Sequence, residues 1–312
     1  MNDQAPVSAR ARWPLVSVLI PAFNHEHFVQ RCLDSVLEDP YPCKEIVIID
    51  DGSSDATGEK ISQWISDHGH RLPVYFVQRE NRGVSATLNE AARTARGEYM
   101  RIVASDDYMM PWGIQAQVEF LEKNPGKAAV IGDACVVDRV GRLICESAMC
   151  DLHRANKAQY GTDVGIRRAV ISKWAVSGAV MMLRHNAFDE GMRWDESLRV
   201  EDWDLFIRLV SGNYLAFIDV TVSAYRLHGT NVSKTRNLEK RIDNLSEFAS
   251  VAERGAKYFL GAEFWLLRAQ HSLIRAKVSF LKSNWLGVFW HLAVYIMRRL
   301  IAVLTDKPWI AR

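Results

Sequence analysis

The sequence contains few cysteines, and no two of them form a recognisable pair. The five are scattered and odd in number, without a CxxC motif: Cys32, Cys43, Cys135, Cys145 and Cys150. A disulfide framework or a structural zinc site would need an even set at regular spacings. The chain is therefore expected to work in a reducing, cytosolic setting without disulfides or structural zinc.

Three further features are missing. The net charge of the 312 residues is only +2, so the chain lacks the excess of positive charge that is typical of nucleic-acid-binding proteins. Residues 1–14 are polar and lack the apolar core of a signal peptide, and they are expected to form a short disordered leader. No GxGxxG or GxxxxGKS/T motif follows the first predicted strand, which argues against dinucleotide-binding and P-loop folds.

Apolar strands alternate with amphipathic helices in the first hundred residues. Apolar runs at residues 15–20, 45–49, 74–77 and 99–103 predict strands that are buried on both faces. The segments between them have apolar residues at helical spacing. This alternation predicts an α/β protein built from parallel βαβ units with right-handed crossovers.

Polar side chains follow three of these predicted strands. Asp50 and Asp51 follow the second strand, residues 81–83 the third, and Asp106 and Asp107 the fourth. Ligands of open α/β sheets bind outside the carboxyl ends of the strands. Adjacent carboxylates repel each other unless a cation lies between them, and Mg²⁺ prefers carboxylates together with phosphate oxygens. One pair of aspartates alone could belong to a solvated turn. The convergence of three polar loops at one edge of the sheet favours a nucleotide site.

The second half of the chain carries further candidate residues. Residues 150–170 are irregular and polar and are expected to form a loop or lid over the site, and residues 177–183 predict a strand. Glu201 and Asp202 precede a helical pattern, so they lie at a helix N-terminus, where either a functional or a capping role is open. His228 follows the last predicted strand, and a lone histidine there is more often structural.

From residue 237 the pattern changes to three helical segments, at residues 238–256, 258–282 and 285–304. The last is rich in tryptophan and aliphatic residues, but Arg298 and Arg299 keep its uninterrupted apolar run below the ~20 residues of a membrane span. Basic residues mixed with aromatic ones suit a helix in a membrane interface. The alternative is an appendage that packs on the rest of the chain or on a second copy.

Taken together, these motifs resemble a family 2 glycosyltransferase with the GT-A fold. The resemblance rests, in chain order, on residues 16–24, 48–55, 81–89, 105–111, 201–205 and 225–233. It implies a Rossmann-like, mixed and mainly parallel sheet with helices on both faces. It also implies a leader at residues 1–14, a GT-A domain at 15–236 and a helical extension at 237–312.

The resemblance implies roles for individual residues. Asp106 would face the ribose or diphosphate, and Asp107 would ligate Mg²⁺ or Mn²⁺ together with His228. Asp202 would be the general base, supported by Glu201. Residues that would contact the nucleoside, with Asp51 accepting a hydrogen bond from the base, are Pro21, Phe23, Asp50, Asp51, Asn81 and Gly83. Family members often carry an additional aspartate two positions before the first of the pair, and Ala104 occupies that position here.

The expected activity is metal-dependent, inverting transfer of a hexose-type sugar from a UDP- or dTDP-sugar to a hydroxyl of a glycan or lipid-linked acceptor. By family analogy it would serve bacterial surface polysaccharide synthesis. The protein would be cytoplasmic, peripheral on the inner face of the cell membrane and able to form homo-oligomers, and it would not bind nucleic acid. A nucleotidyltransferase would need a basic, glycine-rich loop, which residues 21–28 lack. The alternative from another class is an inactive binding or scaffold protein of the same fold.

Overall fold

The computed structural model describes residues 13–306, except residues 174, 177, 200 and 229–236. For residues 178 and 201 it describes the backbone alone. The predicted leader, residues 1–14, therefore lies almost entirely outside the described residues. Ser177, the first residue of one predicted strand, also lies outside them, as does the segment that follows His228.

The first half of the described chain alternates strands and helices, as the apolar pattern predicts. The elements are β1 (Val16–Ala22), α1 (Val29–Glu38), β2 (Lys44–Asp50), α2 (Thr57–His68), β3 (Val74–Gln78), α3 (Val84–Thr94) and β4 (Tyr99–Ile102). β1 lies between β2 and β4, β3 flanks β2, and all three ladders are parallel. The carboxyl ends of these four strands therefore meet at one edge of the sheet.

The second half completes a nine-stranded mixed sheet. Its elements are β5 (Tyr108–Met109), α4 (Gly113–Lys123), β6 (Ala129–Val137), β7 (Leu143–Cys145), α5 (Asp163–Ser172), β8 (Met181–Arg184), α6 (His185–Asp189), α7 (Glu201–Ser211) and β9 (Leu215–Arg226). The strand order is β3-β2-β1-β4-β8-β6-β9-β5, with β7 beside β6. β8 runs antiparallel to both neighbours, whereas β9 runs parallel to β6.

Helices cover both faces of the sheet because its central strands are apolar on both sides. Val18 and Ile20 of β1 belong to the same buried cluster as Val29 of α1. Leu19, which lies between them in sequence, belongs to a second cluster with Leu88 of α3. Successive side chains of a strand point to opposite faces, so one strand supports both helical layers.

The prediction of a loop or lid at residues 150–170 is wrong in its second half, where α5 forms. The Thr162 side chain accepts a hydrogen bond from the Gly165 amide and caps this helix. Ile166, Ala169 and Val170 are buried at helical spacing, so α5 belongs to the core. The strand predicted at residues 177–183 is shorter than expected, because Gly178–Val180 forms a 3₁₀ turn before β8.

A buried arginine ties the centre of the sheet together. Arg101 of β4 has no exposed surface. Its guanidinium donates hydrogen bonds to Ala179 O (2.9 Å), Val222 O (3.2 Å) and Ser223 Oγ (2.6 Å). These contacts join β4 to β9 and to the turn before β8, and so fix the strand from which Asp106 and Asp107 follow.

Three helices follow β9 in the described chain: α8 (Leu238–Gly255), α9 (Gly261–Leu281) and α10 (Trp285–Thr305). α8 packs on α7, α9 packs on α8 and α5, and α10 packs on α9. Ala252 of α8 and Leu267 of α9 belong to the same buried cluster as Leu205 of α7, so the extension shares its core with the preceding residues. By length and composition alone α10 could cross a membrane, which its interrupted apolar run did not predict.

Candidate active site

The loops that follow β1, β2, β4 and β9 lie at one edge of the sheet, and they carry most of the predicted site residues. His25 follows β1, Asp51 follows β2, Asp106 follows β4 and His228 follows β9. The parallel register of β1, β2 and β4 brings their carboxyl ends together. The sequence therefore predicted this edge correctly from strand order alone.

Asp51 organises the loop between β3 and α3. Its Oδ1 accepts a hydrogen bond from the Arg82 amide (2.8 Å) and its Oδ2 accepts one from the Gly83 amide (2.9 Å). The Arg79 guanidinium pairs with the same carboxylate, and Asn81 Nδ2 donates to the Asp51 carbonyl (2.8 Å). The structure thus brings Asp51, Asn81 and Gly83 together, and it adds Arg79, which sequence reasoning missed.

Asp50 has a different environment, although it is the neighbour of Asp51. It has no exposed surface, and its carboxylate accepts hydrogen bonds from the Ser53 amide (3.0 Å) and from Gln78 Nε2 (3.0 Å). Both carboxylate oxygens are therefore used to hold the turn after β2. This geometry gives no support to the predicted contact of Asp50 with the nucleotide.

The loop after β1 presents an aromatic ring to solvent. Pro21 is partly buried, whereas Phe23 is 45% exposed and open to stacking with a ligand. The loop is fixed to the turn after β2, because the Asn24 amide donates to Ser53 Oγ (2.9 Å) and Asn24 Oδ1 accepts from the Ser54 amide (2.8 Å). The loops after β1 and β2 therefore form one unit.

Two histidines and one carboxylate meet beside this unit. His228 Nε2 lies 2.9 Å from Asp106 Oδ2, and His25 Nε2 lies 3.7 Å from the same oxygen. The candidate ligand atoms of the three residues all lie within 4.8 Å of one another. Imidazole nitrogens and a carboxylate oxygen are a donor set that suits divalent metal ions. His25 also contacts Ser105 Oγ through Nδ1 (2.8 Å), which fixes the orientation of its ring.

The protonation states of this cluster suit a cation. Burial lowers the pKa of His25, so its imidazole is neutral at neutral pH and keeps a lone pair for a metal. Burial alone would raise the pKa of Asp106, but the hydrogen bond with His228 and the neighbouring imidazoles lower it. The carboxylate is therefore ionised, as a metal ligand must be.

Asp107 is not part of the cluster of His25, Asp106 and His228. Its Oδ1 accepts a hydrogen bond from the Arg226 amide (2.8 Å), and the residue is only 3% exposed. Burial raises the pKa of Asp107 well above its usual value, and the Asp106 charge raises it further. A turn closed by the Asp107 amide and the Ala104 carbonyl (3.0 Å) directs the two aspartates differently. Asp106, expected at the ribose or diphosphate, takes the place beside His228 that was expected for Asp107.

A cavity of about 780 Å³ opens next to the cluster. Phe28 and Arg226 lie in its wall, with the Arg226 guanidinium 5.1 Å from the centre of the Phe28 ring. The Phe28 ring also packs on His228, with ring centres 4.8 Å apart. The cavity is within the size range of small-molecule sites.

Asp202 lies in the first turn of α7. It is partly buried, and burial raises its pKa to about 6. The segment before α7 is held on α3, because Ser85 Oγ donates to the Leu198 carbonyl (2.9 Å) and Asn89 Nδ2 donates to the Trp194 carbonyl (2.8 Å). Since α3 begins next to Gly83, these bonds bring the start of α7 towards the Asp51 loop. The side chain of Glu201 lies outside the described residues.

Besides Arg79, sequence reasoning missed two site residues, His25 and Arg226. A histidine in the loop directly after the first strand lies at the same edge as the carboxylates, and that position was the available signal for His25. Arg226 stands two residues before His228 in the sequence, at the end of the last predicted strand. Nothing in its spacing indicated that its backbone would hold Asp107.

Residues 17–161 match the sequence profile of glycosyl transferase family 2. This segment belongs to that family. The family 2 segment includes Asp51 and Asp106 but ends before Asp202. The chain is 26% identical over 223 residues to the chondroitin synthase of Escherichia coli, which covers 71% of this chain and 30% of that protein. It spans about a third or less of the length of several curated relatives that it matches.

Two solved structures show the same fold. One is S. aureus TarS 1-349 in complex with UDP-GlcNAc, at 16% identity and a TM-score of 0.60, covering 91% of this chain and 89% of that one. The other is the mannosyltransferase PcManGT from Pyrobaculum calidifontis in complex with GDP-Man and Mn²⁺, at 17% identity and a TM-score of 0.62, covering 96% and 89%. The predicted fold, that of GT-A transferases with added C-terminal helices, is confirmed.

Proposed function

We propose that this family 2 glycosyltransferase moves a sugar from a nucleotide diphosphate to a hydroxyl of a glycan or lipid-linked acceptor, with inversion at the anomeric carbon. The observation that carries the proposal is the cluster of His25, Asp106 and His228 at the sheet edge that also bears the Asp51 loop. Asp202, with its raised pKa, lies at the start of α7, which the hydrogen bonds to α3 direct towards the same loop. Each group meets one chemical need of the reaction.

The departing diphosphate needs a counter-charge. His25, Asp106 and His228 would hold Mn²⁺ in preference to Mg²⁺, because imidazole nitrogens suit Mn²⁺ better than a hard ion that prefers oxygen ligands. The ion when bound would neutralise negative charge that develops on the diphosphate oxygens. Asp107, which was predicted as a ligand, would instead position Asp106 through its hydrogen bond with the Arg226 amide. The Mn²⁺ in the PcManGT complex supports a metal in this fold.

The acceptor hydroxyl must lose a proton. Asp202 would take it, because a carboxylate with a pKa near 6 is ionised at neutral pH yet more basic than an exposed aspartate. The site would supply one base and no enzymic nucleophile. The acceptor oxygen would therefore attack the anomeric carbon directly, in a single displacement that inverts it. The geometry parallels that of inverting hydrolases, with an acceptor hydroxyl in place of water.

The nucleotide and the acceptor are proposed as chemical classes, without a single compound being named. Asp51 and the exposed ring of Phe23 would bind a base, and UDP- or dTDP-sugars are favoured. The UDP-GlcNAc and GDP-Man complexes of the solved relatives show that this fold accepts more than one nucleotide. The likeness to a chondroitin synthase supports a glycan acceptor in polysaccharide synthesis. The transfer would take place on the cytoplasmic side of the membrane.

A thermal-shift panel tests the proposal. UDP-, dTDP- and GDP-sugars are added with and without Mn²⁺, and a donor that binds the folded state raises the melting temperature. We expect a metal-dependent shift with one donor class, reduced by at least half in His25→Ala. His70→Ala is the matched control, because His70 is exposed and lies before β3, at the opposite edge of the sheet from the site. No shift with any donor from folded protein would refute the proposed function.

A further inference from the structure

The C-terminal helix α10 exposes a wide apolar face. Large side chains on this face are well exposed, with Leu286 at 85%, Phe289 and Trp290 at 68% and Leu300 at 61%. The same face contains Trp285, Leu292, Ile296, Met297, Val303 and Leu304. At about 100° per residue these positions cover roughly 160° of the helix circumference. A coiled-coil seam is narrower, so this breadth suits an extended apolar environment rather than one partner helix.

The helix lies flat along the rest of the protein. At its start, Gly287 lies against Ser279 of α9, close enough that a Cβ there would meet Ser279 Oγ at 2.8 Å. In its middle, Arg298 Nη1 donates to the Arg268 carbonyl (2.8 Å) and to Ser272 Oγ (2.7 Å), both on α9. These contacts hold α10 along α9, an arrangement that favours a helix lying beside the folded core.

The far end of α10 is held as well. Asp306, directly after the helix, forms an ion pair with Arg168 of α5, and Ala302 is buried. The helix is therefore attached at its start, middle and end, with its apolar face directed away from the core. Length and composition permit a membrane span, but these three attachments favour a helix that lies on the surface.

The hairpin of α9 and α10 is basic. Residues 264–305 contain no aspartate or glutamate. Arg275, Lys277, Lys282 and Arg299 are exposed, and none of them forms an ion pair among the described residues. Apolar residues flanked by unneutralised cations are the composition of helices that bind anionic lipid surfaces.

We infer that the α9–α10 hairpin lies in the headgroup region of an anionic bilayer, with the apolar face of α10 against the acyl chains. Arg275, Lys282 and Arg299 would contact lipid phosphates, whereas Lys277 lies about 160° from Arg275 around α9 and does not share this contact. A second copy of the chain fits less well, because a two-fold interface sets the same patch against itself. Cations would then face cations, with no carboxylate in the patch to neutralise them. The inference stands independently of the proposed transferase activity.

Vesicle flotation with the full-length protein tests the inference. We expect recovery with vesicles of phosphatidylcholine and phosphatidylglycerol, and at least tenfold weaker binding to phosphatidylcholine alone, because each cation near an anionic surface contributes about fivefold. Sodium chloride at ~1 M should reduce the binding to anionic vesicles, since it screens the charges. Equal recovery with both vesicle types, or with neither, would overturn the inference.

Two sets of variants separate charge from apolar contact. R275Q/K282Q/R299Q should lose the preference for anionic vesicles, whereas R71Q/R93Q/K123Q removes three exposed cations elsewhere and should keep it. L286S/F289S/L300S should abolish flotation, whereas L143S/I144S removes exposed apolar side chains from β7 and should not. An unchanged melting temperature shows in each case that the variant is folded.

Two further outcomes would contradict the inference. If carbonate at high pH fails to release the bound protein, α10 spans the bilayer instead of lying on it. If sedimentation in the absence of lipid shows a dimer, and L286S/F289S/L300S dissociates it, the face binds a second copy.

A blue shift of tryptophan fluorescence on adding anionic vesicles, lost in W285F/W290F, would locate the contact on α10 itself.

Discussion

At the scale of single residues, Asp202 combines a functional position with a cost in stability. Burial raises its pKa to about 6, so folding at neutral pH places a charge where the protein disfavours one. The native state binds more protons than the unfolded state between the ordinary pKa of aspartate and pH 6. This contribution to stability therefore increases as the pH falls through about 6, and it is absent at neutral pH.

Asp202→Asn should therefore lower activity and raise stability together. We expect sugar transfer to fall by about 10²- to 10⁴-fold with donor binding unchanged, because only the base is lost. The free energy of unfolding at neutral pH should rise by about 1–2 kcal/mol. Asp204→Asn is the control on the same helix, and it should lose stability instead, because Asp204 pairs with Arg208 (2.9 Å). A less stable Asp202→Asn variant would indicate that the residue caps α7.

The pH dependence of turnover follows from the same carboxylate. A general base must be ionised, so the rate at saturating donor and metal should fall about tenfold per pH unit below pH 6. Protons also compete with a metal at His25, so donor binding has to be measured separately by thermal shift at each pH. A rate that stays constant down to pH 5 with saturated donor would exclude Asp202 as the base.

The adjacent aspartates show where residue-level prediction stops. The sequence correctly indicated that Asp106 and Asp107 follow a buried strand at the ligand edge. It did not indicate which carboxylate faces the histidines, because the turn at Ala104 and the Arg226 amide decide that. Such contacts join residues far apart in the chain, and no local pattern records them.

At the scale of elements, the turn after β2 depends on a glycine. Gly52 has a φ of +77°, and a Cβ at this position would lie 2.8 Å from the Asn81 amide nitrogen. Gly52→Ala should cost about 1–3 kcal/mol in unfolding free energy and push the Asn81 loop away from Asp51. Donor affinity should fall with it. Gly126→Ala is the control, because a Cβ there meets nothing within 4 Å. Unchanged donor affinity in folded Gly52→Ala would separate this loop from nucleotide binding.

Helices and strands with a clear period were predictable, and α5 was not. The bounds of the first four strands agree with the predicted apolar runs within a few residues, and the three helices form in the segments between them, as predicted. α5 lies in a polar stretch with only short apolar spacing, and its position is set by packing on α7 and α9. Tertiary contacts of this kind override weak local preference.

At the scale of the whole molecule, Arg101 links the two halves of the sheet. It is fully buried, and burial lowers its pKa to about 10. Arg101→Lys should cost about 3 kcal/mol in unfolding free energy, because an ammonium cannot reproduce the planar set of hydrogen bonds to β9 and the turn before β8. Urea unfolding measures the loss, with exposed Arg93→Lys as control. Equal stability of the two variants would show that the sheet does not depend on this residue.

The stacked helices α7, α8, α9 and α10 also have a consequence for the acceptor. Packed helix axes lie about 8–10 Å apart, so three packing steps place α7 at most about 30 Å from α10. With α10 resting on lipid, Asp202 would stand at a fixed height above the bilayer. An acceptor that stays anchored in the same bilayer has to bridge that height with its own chain. The helical stack would then select acceptors by their length, independently of which sugar they carry.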